Sequence, residues 1–375
     1  MKKILFVSGQ DFLSNQNDGG KKCSYRNYEI LKKTYGNDNV YVCFFTNEKK
    51  EYSEKNVEVF PSHKNVFERV FNILTGHLMC SSKTEDEIVN YVLKNEISVV
   101  LFERAMYGKL ICKLAEKNIV TQVFMENIEA QYFYNKVKYQ NRLLVPVYYA
   151  VKKSEKKSFD HANDVFCLTD RDASNLKAIY QYDARAILPM TFEDCFEQKK
   201  KDISNIYQSG SEKNLLFVGS MFLPNYEGIK WFVENVMPEL NDYTLTIVGK
   251  DFETKAEELT RENVRVIGTV DELATYYLSD SVMVMPILFG DGMKIKTAEA
   301  MMYGKIIFAS HEALEGYDVK DVDHIYECDS AEEYIEYIRK YYPKDKNKFF
   351  ANDVRTCFIE KYESDSIVRK FAELL

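Results

Sequence analysis

The sequence has little of what marks secreted, membrane-spanning or metal-binding chains. No apolar run approaches the roughly 18 residues of a transmembrane helix. The eight cysteines are scattered, and the closest pair, Cys23 and Cys43, is twenty residues apart, which predicts free thiols rather than disulfides or a zinc ribbon. The five histidines form no metal-spaced pair, and "MKKILFVSG" has too short an apolar run for a signal peptide. These absences predict a cytoplasmic protein that holds no metal.

The net charge disfavours a nucleic-acid-binding protein, and the glycine spacing disfavours an NAD-binding protein. The formal net charge of -8 argues against nucleic acid as the main partner. An NAD fingerprint needs closely spaced glycines directly after a strand, whereas ten residues lie between Gly9 and Gly20. Gly19 and Gly20 are compatible with a backbone that approaches a ligand at the next helix, and equally with a flexible loop.

Short apolar runs alternate with helical stretches along the whole chain. Most runs lack a strict in/out alternation, which is typical of parallel strands buried on both faces. The pattern therefore predicts doubly wound α/β sheets with right-handed crossovers. The predicted strands are Ile4–Gly9, Val40–Thr46, Val57–Phe60, Val99–Glu103, Val120–Met125, Val165–Thr169, Arg185–Leu188, Leu215–Gly219, Thr244–Gly249, Val264–Ile267, Val282–Pro286, Ile306–Ser310 and Ile325–Cys328.

The strand and helix series runs twice, and a polar stretch without periodicity separates the two runs. We expect a first Rossmann-like domain over 1–188, a linker over 189–213 and a second Rossmann-like domain over 214–348. The remaining residues, 349–375, read as helices that cross back to the first domain. Two such domains would face a central cleft at the carboxyl ends of their sheets, where folds of this class bind ligands.

The most informative stretch is "FGDGMKIKTAEAMMYGK", residues 289–305, in which a glycine loop joins a strand to a helix. A helix start with Lys294 and Lys296 suits an anion such as a diphosphate, and Glu299 suits vicinal hydroxyls. An ordinary charged helix start, with Lys296 and Glu299 as a surface pair, fits the same residues. One point favours the site, because two lysines at a helix N-terminus oppose the helix dipole and a bound anion would relieve that cost.

Two other stretches also have a functional and a structural interpretation. Residues 136–157 carry seven basic side chains against one acid, Glu155, around the apolar segment Leu143–Val151. Such a helix either lies on an anionic membrane surface or buries its apolar side within its own domain. The strand that ends at Gly219 and Ser220 marks either a close ligand approach or a tight turn. "DVKDVDH", residues 318–324, is predicted to be a solvated loop rather than a metal site.

The second half of the chain resembles the retaining glycosyltransferases of family 4, which have the GT-B architecture. The resemblance is carried, in consistent order over Leu215–Gly316, by "FVGSMFLPNYEGIKWFVENVMPEL", "LTIVGK", "VRVIGTVDELATYYLSDSVMVMPI", "GDGMKIKTAEAMMYGK" and "EALEG". The first half is similar through "FMENIEAQYF", "DVFCLTDRDASNL" and "LPM". The resemblance implies two α/β domains, in agreement with the reading from periodicity.

The resemblance also implies residue roles. Asp291 and Glu299 have the family's spacing of eight, with the first toward the donor sugar and the second on the ribose. The family's arginine after the first glycine of the second domain is Ser220 here, which leaves the phosphates to Lys294 and Lys296. The histidine often found in the first-domain cleft corresponds to Glu126. The implied set is Asp291, Lys296 and Glu126 for catalysis; Gly20, Gly219, Ser220, Gly268, Thr269, Val270, Gly292, Lys294, Lys296 and Glu299 for donor binding; and Asn127 and Glu129 on the acceptor side.

By this resemblance the chain transfers a sugar from a UDP- or GDP-sugar to an acceptor hydroxyl with retention, without a metal or other cofactor. A lipid-linked glycan of a bacterial surface polysaccharide or glycolipid is the expected acceptor, with the protein peripheral on the inner face of the membrane. Two alternatives stay open at this point. One is a non-hydrolysing nucleotide-sugar epimerase of the same architecture, and the other is a non-catalytic binding or scaffold module.

Overall fold

The computed structural model describes residues 2–14, 19–47, 50–63, 65–139, 141–203, 213–290, 292–345 and 348–374. The chain forms two compact units, one of Met1–Met190 with Val368–Leu375 and one of Thr191–Ile367. Within the described ranges, no helix combines the length and the apolar composition needed to cross a bilayer.

The first unit contains a parallel sheet with helices between its strands. Its central strands Ile4–Val7 and Val99–Glu103 are fully buried and, apart from Glu103, apolar, which is why the sheet packs helices on both faces. The strands are β1 (Ile4–Val7), β2 (Val40–Phe45), β3 (Val57–Phe60), β4 (Val99–Glu103), β5 (Val120–Met125), β6 (Asp164–Cys167) and β7 (Ala186–Ile187). The helices are α1 (Gly19–Tyr35), α2 (Val66–Thr75), α3 (Ser82–Lys94), α4 (Gly108–Ala115), α5 (Glu129–Tyr139), α6 (Val145–His161) and α7 (Asp170–Tyr180), with 3-10 turns at Asn37–Asn39 and Arg142–Leu144.

The second unit repeats this arrangement around a core of its own. Its strands are β8 (Lys213–Val218), β9 (Tyr243–Val248), β10 (Val264–Gly268), β11 (Val282–Met285), β12 (Ile307–Ala309) and β13 (Ile325–Glu327). Its helices are α8 (Phe196–Asp202), α9 (Leu223–Asn235), α10 (Ala256–Leu259), α11 (Ala274–Tyr277), α12 (Ile295–Met302), α13 (Ala331–Tyr341) and α14 (Asn352–Lys361), with 3-10 turns at Met237–Glu239, Phe252–Lys255 and His311–Leu314. The last helix, α15 (Ser364–Leu374), begins in the second unit and ends in the first.

The order of the strands fixes where ligands can bind. The first sheet has the order β3-β2-β1-β4-β5-β6-β7 and the second has the order β10-β9-β8-β11-β12-β13. Every pairing between these strands is parallel. The chain reverses its direction of winding between β1 and β4 and again between β8 and β11. Crevices outside the carboxyl ends of strands at such switch points are the usual ligand sites of doubly wound folds.

The prediction of two doubly wound parallel sheets is confirmed, and each predicted strand overlaps an observed one. The bounds differ by at most two residues. Several predicted runs extend past the strand into the following loop, for example at Gly9, Gly219, Gly249 and Pro286, whereas Gly268 still belongs to β10. The predicted linker contains the helix α8, whose Phe196 is buried in the second core; residues 204–212 of that linker lie outside the described residues. Residues 349–375 form the helices α14 and α15.

Glycines allow unusually close backbone packing at the carboxyl edge of the second sheet. A Cβ atom at Gly228, in α9, would lie only 1.8 Å from the carbonyl oxygen of Pro286, directly after β11. A Cβ atom at Gly249, where φ is +144°, would lie 1.9 Å from the carbonyl oxygen of Gly219. No side chain fits at either position without moving backbone, so these glycines set the separation of the loops that follow β8, β9 and β11.

The Gly228 contact gives a prediction about stability. Gly228→Ala should lower the free energy of unfolding by about 2 kcal/mol, because the clash with backbone outweighs the gain in helix propensity. Urea denaturation measures this, with Glu234→Ala as the matched control, since Glu234 is exposed on the same helix. Equal stability of the Gly228→Ala variant and the wild type would show that α9 can shift away from Pro286 at little cost.

Candidate functional site

The switch point of the second sheet brings Gly219, at the end of β8, next to Lys296, in the first turn of α12. A Cβ atom at Gly219 would lie 3.0 Å from Lys296 Nζ and 2.9 Å from Asn225 Nδ2. The glycine therefore leaves space for the lysine head group at the carboxyl end of the strand. The close approach seen at Gly219 is that of the Lys296 and Asn225 side chains, and the approach of a ligand to this glycine stays a prediction.

Lys296 lies in an environment that disfavours its charge. Its ammonium group donates a hydrogen bond to Oδ1 of the buried Asn225 and lies 4.9 Å from the centre of the Phe217 ring. Asn225 also donates to the carbonyl oxygen of Ser220, at 2.7 Å. Burial, and then the nearby charge of Lys294, lower the pKa of Lys296 to about 7, although Glu299 acts in the opposite direction. This group is therefore held by a neutral amide where an anion would stabilise its charged form.

Lys294 stands at the N-cap position of α12, where a cation opposes the helix dipole. Its ammonium group donates to the carbonyl oxygen of Gly292 and forms an ion pair with Glu312, each at 2.7 Å. Its own carbonyl oxygen accepts a hydrogen bond from Tyr317 Oη at 2.8 Å. The interpretation of Lys296 and Glu299 as a simple surface pair does not describe this helix start, since each lysine has another partner within the fold.

Glu299 lies one turn further along α12. Its Oε2 accepts a hydrogen bond from the buried Tyr277 hydroxyl at 3.0 Å. The Tyr277 ring is stacked on Tyr303, with ring centres 5.0 Å apart. Burial, and then the charge of Glu299, hold the pKa of Tyr277 well above its usual range, so Tyr277 remains a donor. The carboxylate is thereby oriented by a rigid aromatic pair.

The turn after β10 is held by Glu253. This carboxylate accepts hydrogen bonds from the Thr269 backbone N–H at 3.0 Å and from the Thr269 hydroxyl at 2.9 Å. Gly268 has φ of +78°, and a Cβ atom there would lie 2.5 Å from the Glu253 carboxylate. Because Gly268, Thr269 and Val270 follow a strand two places from β8, they form a fixed element at the same edge of the second sheet.

The switch point of the first sheet carries a buried carboxyl group. Oε2 of Glu103, at the end of β4, accepts hydrogen bonds from Ser8 Oγ at 2.6 Å and Ser24 Oγ at 2.7 Å. Ser24 also donates to the carbonyl oxygen of Gly20, in the first turn of α1. Burial raises the pKa of Glu103, which the two hydroxyl groups partly offset. The predicted ligand-approaching residue Gly20 therefore lies beside a polar cluster at the edge of this sheet.

Arg104 joins the predicted acceptor-side residues. Its guanidinium lies 3.4 Å from Glu126 and 3.5 Å from Glu129, and both carboxylates are largely buried. Burial, followed by repulsion from Glu103, raises the pKa of Glu126 to about 8, while Arg104 acts in the opposite direction. Arg104 has φ of +80°, a costly conformation for a residue other than glycine. Asn127, between these acids, is exposed.

The buried carboxylate of Glu155 positions this part of the first unit. Glu155, the single acid of the basic stretch, is fully buried in α6 and accepts hydrogen bonds from the backbone N–H groups of Glu129 and Ala130. It caps the N-terminus of α5 and also accepts from the Tyr180 hydroxyl. The orientation of Glu129 toward Arg104 thus depends on Glu155. In the sequence, Glu155 was notable only as the single acid in a stretch of basic residues.

The structure places the predicted site residues in two groups, one in each unit. Gly219, Ser220, Gly268, Thr269, Val270, Gly292, Lys294, Lys296 and Glu299 lie at the carboxyl edge of the second sheet, and Gly20, Glu126, Asn127 and Glu129 lie in the first unit. Asp291 lies outside the described residues. Sequence reasoning missed the side chains that orient these groups, which are Asn225, Glu253, Tyr277, Glu312, Glu103 and Arg104. Only Asn225 had a signal, since it follows the strand-ending glycine in "VGSMFLPN".

Comparison with known sequences identifies a family for most of the second unit. Residues 212–342 match the family described as Glycosyl transferases group 1. A curated relative is an uncharacterised 44.6 kDa protein in the cps region of Klebsiella pneumoniae, which is 24% identical over 344 residues that make up 84% of each chain.

Comparison with solved structures gives the fold of the whole chain. The chain is similar to WaaG, a glycosyltransferase involved in lipopolysaccharide biosynthesis, with a TM-score of 0.63, 16% identity and coverage of 99% of both chains. It is also similar to Anabaena HepE in complex with UDP, with a TM-score of 0.61, 12% identity and coverage of 99% of both chains. The chain is therefore a glycosyltransferase with the GT-B fold, and its residues 212–342 form a glycosyl transferases group 1 domain.

Proposed function

We propose that this protein is a retaining glycosyltransferase of family 4, which moves a sugar from a nucleotide diphosphate sugar to an acceptor hydroxyl. The observation that carries the proposal is the pair Lys294 and Lys296 at the N-terminus of α12, beside the switch point of the second sheet. Two cations share one helix N-terminus there, and the pKa of Lys296 is lowered by burial and by its neighbour. A bound diphosphate offsets three unfavourable effects: the two cations at the positive end of the helix dipole, the repulsion between the two lysines, and the burial of the Lys296 charge.

Different elements at this edge of the second sheet bind different parts of the donor. Lys294, Lys296, the backbone N–H groups of α12 and the loops at Gly219 and Gly292 bind the diphosphate. Glu299 accepts hydrogen bonds from the ribose hydroxyls, and the turn at 268–270 contacts the base. Asp291 contacts the donor sugar. A uridine or guanine nucleotide fits this arrangement, and the UDP complex of the similar HepE supports uridine.

The reaction exchanges one bond for another at the anomeric carbon. The bond between that carbon and the leaving diphosphate oxygen breaks, and the acceptor oxygen forms a bond on the same face of the sugar. The acceptor proton passes to the departing diphosphate, so no protein general base is required. Because the acceptor attacks from the face that the diphosphate leaves, no protein nucleophile is required, and the lysines neutralise the diphosphate in place of a metal ion. Lys294, Lys296 and the helix N-terminus stabilise the charge that grows on the leaving group.

The acceptor is a glycan hydroxyl, and we propose a lipid-linked glycan of a surface polysaccharide or glycolipid at the cytoplasmic side of the membrane. Glu126, Asn127 and Glu129 form the acceptor side, and Arg104 holds the two carboxylates. The cps-region relative and the similarity to WaaG support polysaccharide assembly as the context. The basic stretch over 136–157 supports contact with an anionic membrane.

The proposed reaction can be tested with a panel of UDP- and GDP-sugars. Thermal-shift screening should identify one donor that raises the melting temperature, and that donor should be consumed faster when a glycan acceptor is added. The anomeric configuration of the product, read by proton NMR, should match that of the donor. Conversion of the donor alone into a different free sugar would point to an epimerase, and inversion of configuration would contradict the retaining mechanism.

Glu299→Ala should weaken binding of the nucleoside diphosphate by about 10- to 100-fold, because charge-assisted hydrogen bonds to the ribose contribute about 1.5–3 kcal/mol. Isothermal titration calorimetry gives the dissociation constants. Tyr277→Phe is the matched control, since it removes the hydroxyl that orients Glu299 but keeps the carboxylate, and it should weaken binding by less than about fivefold. Unchanged affinity of Glu299→Ala would sink the assignment of this residue.

Lys296 should couple nucleotide binding to proton uptake. Its pKa near 7 in the free protein rises when the diphosphate binds, so at pH 8 a neutral Lys296 takes up nearly one proton and affinity falls as the pH increases above 7. Calorimetry in buffers of different ionisation enthalpy measures this uptake. Lys296→Arg, which stays charged throughout, should bind without it. Equal proton uptake by both proteins would assign the proton to another group.

A further inference from the structure

The helix α2 exposes its apolar side to solvent, which is unusual for a helix at the surface of a protein. Phe67, Val70, Phe71 and Leu74 recur at the spacing of a single helix face, and their exposed fractions are 88%, 51%, 65% and 71%. Val66, beside them, is 74% exposed. A surface helix normally turns such a stripe toward the core. Here the apolar stripe is outside.

The inward side of α2 is held by polar contacts. Asn72, which is buried, donates a hydrogen bond to Nδ1 of His63 at 3.1 Å, and His63 Nε2 donates to the carbonyl oxygen of Leu78. Asn65 caps the helix start, and Gly76 ends the helix in the left-handed conformation. Both ends are therefore defined by specific caps, and the outward direction of the stripe follows from the burial of Asn72.

The neighbouring helix α6 also exposes apolar side chains and adds positive charge. The helices α2 and α6 pack against each other, and α6 together with the 3-10 turn before it exposes Leu143, Val145 and Tyr149. Arg142 and Lys153 are exposed on the same segment. Since the only acid of residues 136–157, Glu155, is buried beneath α5, the exposed part of that segment carries basic charge alone.

We infer that the α2 stripe enters the interfacial layer of a bilayer that contains anionic lipids, with the basic residues of α6 on the headgroups. An exposed apolar stripe bordered by basic side chains matches the two parts of such a membrane, an acyl layer below a negative surface. This inference deepens the proposed function, because it names the element that brings the transferase to a lipid-linked acceptor.

The test is flotation of the full chain with vesicles of phosphatidylcholine alone or with about one third phosphatidylglycerol. Wild-type protein should float with the anionic vesicles and be released as salt increases from about 0.1 to 0.5 M. The variant Phe67→Ser/Phe71→Ser should lose at least about tenfold in vesicle affinity, because both rings are withdrawn from the acyl layer. Leu93→Ser is the matched control, since Leu93 is exposed on α3 of the same unit, and it should float like the wild type.

Several outcomes would overturn the inference. They are the absence of wild-type flotation, equal flotation of the double variant, and equal binding to neutral vesicles. A wild-type dimer that Phe67→Ser/Phe71→Ser converts to a monomer, without vesicle binding, would assign the stripe to contact between two copies of the chain. Nucleotide affinity measured on the same variant should be unchanged, so a failure of the membrane inference is separable from a failure of the proposed transferase activity.

Discussion

The constraint on which the second unit depends is that two lysines share one helix N-terminus at the carboxyl edge of a parallel sheet. The fold tolerates this only by giving each cation a partner, Glu312 for Lys294 and the Asn225 amide for Lys296. Only one of these partners is charged, and the pKa of Lys296 is lowered accordingly. The local structure is thus stable but incompletely neutralised, which is the electrostatic state expected of a site prepared for an anion.

The first unit also buries ionisable groups at the edge of its sheet, but these groups are carboxylates rather than lysines. Burial raises the pKa of both Glu103 and Glu126, and the charge of Glu103 raises the pKa of Glu126 further. The strained Arg104 forms ion pairs with Glu126 and Glu129. Glu103 ends β4, and Lys294 and Lys296 follow β11; each of these strands flanks the switch point of its sheet, whereas Glu126 follows the next strand, β5. The second unit thus carries cations at this edge and the first unit carries carboxylates; under the proposed function, these groups bind the donor phosphates and the acceptor respectively.

Much of the fold and part of the candidate site could be predicted from the sequence, because the periodicity of strands and the positions of glycines between elements are local signals. The thirteen predicted strands and the helix start at Lys294 follow from such patterns. The partners of the site residues were not accessible, since Asn225 reaches Lys296 across 71 positions and Glu253 reaches Thr269 across a strand. The α2 stripe was missed for another reason. Its pattern is that of an ordinary amphipathic helix, and only burial shows which side faces out.

A crystal structure of the protein with UDP tests the central claim most directly. The account predicts that the phosphates lie within about 3 Å of Lys294 Nζ, Lys296 Nζ and the first N–H groups of α12, with the ribose on Glu299. Lys296 should then have exchanged Asn225 for a phosphate oxygen. A nucleotide bound elsewhere, with both lysines still on Glu312 and Asn225, would contradict the account.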